Sequence, residues 1–269
     1  MNEVTTVSIP MMSNELQLLM TIARVACAIA TITASMASAA PCAFEEQGEG
    51  RVSAVIDGRS FRLADGREVR LAGLEPASPE KQTQALATLL VGRDVRLSGG
   101  DDAPDRYGRE IAFVWLTPDE ILVQRELLAQ GEALVSPDVG DKDCAAALME
   151  AEGTARGAKR GIWADPTVIK NTESPGDILT GNGRFMLVEG KVLSVRQAGA
   201  TTYLNFGRNW TRDFAVTIPR RALANLAAQG LEPKSLENKR IRVRGFVEAR
   251  TGPRIEVLRA GQIELVGGK

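Results

Sequence analysis

Apolar and polar residues alternate in three short runs near residue 50, and a period of two predicts strands at Arg51–Ile56, Phe61–Leu63 and Glu68–Ala72. Asp57-Gly58 and Asp65-Gly66 fall between the runs and supply tight turns, so the three strands form a meander rather than a βαβ unit. Pro79 then opens a stretch in which Ala85, Leu86, Leu89 and Leu90 share one helical face, and Gly92 ends it. Val95 and Leu97 alternate with charged residues in a further strand, and Glu110–Leu116 makes another, closed by the turn Thr117-Pro118-Asp119. Apolar faces recur at helical spacing near Ile121–Gln130 and Cys144–Ala158, and Gly161-Ile162-Trp163 would return a large aromatic to the core. Five short strands around one early helix, with two helices behind them, predict a small barrel.

The period of two resumes after residue 180. Strands are expected at Phe185–Val195, Thr202–Phe206 and Phe214–Ile218, then a helix at Pro219–Gln229 ended by Gly230, then strands at Arg240–Val247 and Ile255–Val266. Three strands, a helix and two strands is the order of an OB-fold barrel, and the likeness is one of topology. Between the halves, residues 171–177 are rich in turn formers and read as a linker. The fold class expected is therefore mainly β with helices (α+β): a five-stranded barrel with three helices over residues 40–170, followed by a second OB-like barrel over 178–269.

Residues 1–39 belong to neither half. The apolar run Val25–Ala34 is too short to span a bilayer, Arg24 precedes it and Ala37-Ser38-Ala39 offers a small-residue cleavage site, the pattern of a secretory signal peptide. Met20 would make a better start than Met1, and Pro41 before Cys42 argues against a lipid anchor, so a secreted or periplasmic protein without a membrane anchor is expected. Cleavage would remove Cys27 and leave Cys42 and Cys144, and one remaining pair in an exported chain predicts one disulfide. The chain has no histidine, which excludes Ser-His-Asp and Cys-His catalysis, imidazole bases and zinc sites with a histidine ligand. Hydrolysis would have to use carboxylates, arginines or a hard, oxygen-ligated metal.

Charge separates the halves more sharply than hydropathy. Residues 40–175 hold 16 basic and 24 acidic residues, whereas residues 176–269 hold 16 basic and 8 acidic, so net charges of −8 and +8 face each other. Either the halves attract each other or the basic half meets an anionic partner.

Three ordered motifs carry a resemblance. Val55-Ile56-Asp57-Gly58-Arg59-Ser60-Phe61-Arg62-Leu63 is followed by Val69-Arg70-Leu71-Ala72-Gly73-Leu74-Glu75 and later by Asp105-Arg106-Tyr107-Gly108-Arg109. Over residues 50–165 the chain resembles the thermonuclease (staphylococcal-nuclease-like) family, whose members cut phosphodiesters with calcium, two arginines and a carboxylate base. The resemblance implies that Arg70 and Arg109 neutralise charge on phosphoryl oxygens, a role suited to a planar, permanently charged fork. It implies metal ligation at Asp57 and Glu75. The family's aspartate after Asp-Gly corresponds here to Arg59, and a cation beside a divalent ion at about 4 Å costs on the order of 8 kcal/mol at an effective dielectric of about 20. Calcium is thus the cofactor implied by the family and opposed by Arg59, which could instead pair with Glu75 as a built-in cation. An ungapped alignment puts the general base at Ser78; a two-residue insertion puts it at Glu80 and restores the family's Pro-Glu pair.

In the second half Arg240, Arg242 and Arg244 alternate with Ile241 and Val243 and repeat about every 6.6 Å along one strand face, near the phosphate spacing of an extended single strand. Tyr203, Phe206 and Trp210 lie near Arg208 and Arg212, a mixture able to stack bases and hold backbone. The competing expectation is that Tyr203 and Phe206 are core and the three arginines form a solvated or interdomain face. Together these readings lead to an exported protein acting on single-stranded DNA or RNA, as a phosphodiesterase with a partly degenerate metal site or as an inactive binding or scaffold module that kept the barrel.

Overall fold

The computed structural model describes residues 41–100 and 103–267, so the expected signal peptide lies outside the described residues. The first half runs β1 (Glu45–Asp57), β2 (Ser60–Leu63), β3 (Glu68–Leu71), β4 (Leu74–Pro76), α1 (Pro79–Leu90), β5 (Asp94–Gly99), β6 (Glu110–Leu116), β7 (Ile121–Leu122), α2 (Val123–Gln130), β8 (Ala133–Val135) and α3 (Lys142–Gly157). Strands β3, β2, β1, β5 and β6 neighbour one another in that order, and a parallel β3–β6 pairing closes them into a barrel. Alternation explains its interior: Phe61, Leu63, Val69, Leu71, Val95 and Leu97 are all buried in one cluster with Leu86 and Leu90 of α1.

Three departures from the sequence expectation have backbone causes. Strand β1 begins at Glu45 because Glu45–Arg51 ladders onto β5 with a bulge near Gln47; glycines and acids there carry no apolar alternation, so main-chain pairing alone makes the strand. Strands β4 and β8 form a separate two-stranded sheet where a loop was expected, pairing Glu75 with Leu134. The face of α1 also buries Gln82, one helical turn before Leu86, beneath Gly58 of the β1–β2 turn.

Cys42 and Cys144 are joined by a disulfide across 102 residues of sequence, tying the segment before β1 to the first turn of α3. Both are buried. Asp141 caps that helix by accepting the Cys144 N–H at 2.7 Å.

The second half runs β9 (Ile169–Asn171), α4 (Pro175–Leu179), β10 (Phe185–Lys191), β11 (Ser194–Ala198), β12 (Thr201–Asn205), β13 (Ala215–Pro219), α5 (Arg220–Ala228), β14 (Arg240–Ala249), β15 (Pro253–Glu256) and β16 (Ile263–Leu265). Its sheet is ordered β11-β12-β13-β15-β14-β10-β9, with β16 also on β14. The first expected strand is divided at Val192-Leu193, where the chain exchanges one partner for another: Val192 N–H bonds Lys239 O and Leu193 N–H bonds Asn205 O. The last expected strand is divided by a 3-10 turn at Ala260–Gln262. Residues 171–177 are structured: Asn171 ends a strand parallel to β10, Thr172 is buried and Pro175 opens α4.

Trp163 packs away from the barrel core, in a cluster with Leu134, Ala155 and Leu187 that joins the halves. Just before it, Gly161, at φ 54°, lies so close to Gly131 that a Cβ would sit 2.4 Å from the Gly131 carbonyl oxygen, so this close approach needs a glycine.

Candidate functional site

The β2–β3–β6 edge of the barrel gathers three arginines. Arg70 lies on β3 between the inward-facing Val69 and Leu71, and pairs in register with Ser60 on β2 and Ile111 on β6. Arg109 immediately precedes β6, whose first residue Glu110 pairs with Val69. Arg59 precedes β2, and its carbonyl accepts the Leu71 N–H at 2.7 Å. Backbone pairing thus brings the two residues of the sequence expectation together and adds the third.

Each arginine is held differently. Arg59 Nη1 donates to Glu75 Oε2 at 2.7 Å and to the Leu74 carbonyl at 3.3 Å. Arg109 donates from Nε and Nη2 to Asp105 Oδ2 at 2.9 and 2.7 Å, while Asp105 Oδ1 accepts the Tyr107 and Arg109 backbone N–H groups. That turn needs Gly108, at φ 79°. Arg70 is the exception: it makes no ion pair and no side-chain hydrogen bond among the described residues.

The electrostatics follow from this crowding. Burial, then repulsion from Arg59 and Arg109, pushes the Arg70 pKa down, opposed by Glu75 and Asp105. Burial raises the Glu75 pKa, while Arg59 and Arg70 pull it back. The Arg109 hydrogen bonds hold Asp105 at about 2. Glu75 is engaged by Arg59 and Asp105 by Arg109, which leaves Arg70 as a half-buried cation with unused donors, the condition for taking up an anion.

The remaining predicted residues divide. Glu75 joins the group, buried, with Ser136 Oγ at 3.5 Å from its Oε1. Asp57 is exposed; its Oδ1 accepts the Arg59 backbone N–H at 2.9 Å and its charge reaches Arg109. Glu80 is exposed in the first turn of α1 and makes no hydrogen bond or ion pair among the described residues, so it is not drawn to the arginines. Ser78 is the N-cap residue of α1 and makes no side-chain cap bond. Asp105 was missed, although an aspartate four residues before Arg109 in an Asp-x-Tyr-Gly-Arg turn is a legible Asx-turn signal.

Calcium does not fit these residues. The ion needs six to eight oxygens, yet one Glu75 oxygen is engaged by Arg59 and one Asp57 oxygen by a backbone N–H. No group of three or more acidic, cysteine or histidine side chains able to hold a metal occurs among the described residues.

The arginine ladder of β14 is a correction to the sequence expectation. Arg240 and Arg242 pair with Glu189 at 2.7 Å, Arg242 also pairs with Glu264, and Arg244 is 1% exposed and paired with Glu152 and Glu264. Adjacent β10 and β16 carry glutamates opposite the arginines, so the cations are spent within the protein. Phe206 is core, against Phe214. Tyr203 and Trp210 line a groove of about 900 Å³ together with Arg196, Arg208 and Arg254, and Trp210 is 72% exposed.

Residues 78–165 match the family described as staphylococcal nuclease homologues. The matched span includes Arg109, Glu80 and Trp163 and begins after Arg59, Arg70 and Glu75; Arg70 lies on β3, which pairs with β6 inside the span, whereas Glu75 lies on the separate β4–β8 sheet. A comparison with curated proteins finds no match.

Proposed function

We propose that this chain, whose first barrel is a thermonuclease-like domain of the staphylococcal nuclease homologue family, binds single-stranded nucleic acid by its phosphates and does not hydrolyse it with calcium. The observation that carries the reading is the Arg59–Glu75 ion pair beside an Arg70 that forms no ion pair among the described residues. Arg59 supplies a fixed positive charge where the family implies a divalent ion, and it consumes the carboxylate that would have ligated one. A phosphate entering beside Arg70 meets a planar donor fork whose charge is not neutralised locally. Arg109 keeps its Asp105 partner and adds field. Glu80 sits on an exposed helical turn, and the two carboxylates that act on Arg70 among the described residues, Glu75 and Asp105, are engaged by Arg59 and Arg109.

The groove of the second half supports the same class of ligand. Tyr203 and Trp210 offer faces to unpaired bases, and Arg196 and Arg208 make no ion pair among the described residues. Export is supported by the Cys42–Cys144 bridge, which suits an oxidising compartment. No helix among the described residues is long and apolar enough to cross a membrane.

Fluorescence anisotropy with a labelled single-stranded oligonucleotide tests the reading. Arg70→Ala should weaken binding about tenfold and lower the slope of log K against log salt by about one, the signature of one lost phosphate contact. Unchanged affinity and slope in Arg70→Ala would remove the pocket from the binding surface.

A further inference from the structure

The acid of the pocket is held from behind by the other half of the chain. Glu75 lies on β4, whose only strand partner among the described residues is β8, in the register Glu75–Leu134 and Leu74–Val135. A third strand could have continued that sheet beyond β8. Instead an ion pair of side chains bonds Val135: Glu152 Oε2 accepts its N–H at 2.7 Å, and Arg244 Nη1 donates to its carbonyl at 3.0 Å. The same two side chains are bound to each other twice, Arg244 Nη1 to Glu152 Oε2 at 3.0 Å and Nη2 to Oε1 at 2.9 Å. A carboxylate and a guanidinium thus stand in for a neighbouring strand, one accepting and one donating at a single residue.

Arg244 is on β14 of the second half, whereas Glu152 is on α3 of the first. A second arginine of that half, Arg259, pairs with Asp138 just beyond β8. Between the two anchors, Ser136 returns its backbone N–H to the Gly73 carbonyl at 2.9 Å and its hydroxyl toward Glu75. Residues 135–138 are therefore held at both ends by the second half and touch the pocket in the middle.

We infer that Arg244 is a positioning residue for the anion pocket, acting through Val135 and the β8–β4 pairing to set where Glu75 holds Arg59. The second half then completes the thermonuclease-like barrel's site and does not simply follow it in the chain. This inference rests on the phosphate-binding reading only for its consequence for affinity; the placement of Arg59 is a separate observable.

The test uses the mature two-domain chain and two NMR readouts, the Arg59 Nε–Hε resonance and the shift of the Arg70 side-chain resonance during titration with inorganic phosphate. Replacing both partners, Glu152→Met with Arg244→Met, avoids leaving a lone buried charge and keeps the volume filled. In that variant, with native near-UV circular dichroism, the Arg59 signal should move toward that of free arginine and phosphate should bind at Arg70 about tenfold more weakly, as expected for losing one charge-assisted contact. Arg259→Ala, at an exposed position, should move the Arg59 signal the same way by less, and Arg244→Lys should fall between wild type and the double variant. A wild-type Arg59 resonance in both the double variant and Arg259→Ala overturns the inference. Absence of phosphate binding by the wild type would refute the phosphate reading, while the Arg59 resonance would still decide the positioning role.

Discussion

Glu152→Ala lowers the unfolding free energy by about 3–5 kcal/mol, the cost of leaving a buried guanidinium without its principal partner. Glu152 is 0% exposed and accepts from Arg244, Arg156 and the Val135 backbone, so its loss takes one buried acceptor from three groups at once. Glu264 continues to hold Arg244 and limits the damage. The contrast is the surface pair Arg51–Asp94, with both side chains 61% exposed, where Asp94→Asn should change stability by less than about 1 kcal/mol. Urea denaturation midpoints of the two variants measure the difference. A Glu152→Ala loss no larger than that of Asp94→Asn would mean the cluster contributes nothing that water does not.

Removing the disulfide is expected to cost about as much by a different route. Closing a loop of 102 residues restricts the unfolded chain, and chain entropy puts the stabilisation at about 4–5 kcal/mol, which corresponds to roughly 10–15 °C in melting temperature for a chain of this size. Cys42→Ser with Cys144→Ser, both at buried positions, should show that drop, and the wild type melted in reductant should approach it. The effect reaches the functional face because α3, pinned at Cys144, also carries Glu152 and through it Val135. A fall of less than about 3 °C would show that the unfolded chain is already confined without the bridge.

Much of the barrel was legible because its signals are local. The glycine turns at Asp57-Gly58 and Asp65-Gly66, the period of two in the first strands and Pro79 at the head of α1 each act within a few residues, and the described elements follow them. What escaped was pairing without a side-chain pattern. The start of β1 at Glu45 and the β4–β8 sheet are made by backbone bonds between segments too short or too glycine-rich to alternate.

The site divided along the same line. Motif order placed Arg70 on a strand and Arg109 in the turn before the strand that pairs with it, and the structure brings both to one edge; Arg59 was legible as a cation in a carboxylate's place. The fate of Arg240, Arg242 and Arg244 was not, because their glutamate partners lie 20 to 92 residues away in sequence and only the assembled fold opposes them. The opposite net charges of the halves held that information in coarse form: part of the attraction is the Arg244–Glu152 and Arg259–Asp138 contacts. Glu80 illustrates the limit of alignment, since an insertion restores the motif in sequence while the helix start leaves the carboxylate in solvent.

Calorimetric titration of calcium into the purified chain and into Arg59→Asp, each followed by incubation with single-stranded DNA, tests most directly whether a guanidinium has taken the ion's place. The account predicts no saturable heat and no cleavage for the wild type, with calcium binding gained in Arg59→Asp as a repulsion on the order of 8 kcal/mol is removed. Saturable micromolar calcium binding by the wild type, accompanied by cleavage that Arg70→Ala abolishes, would contradict it.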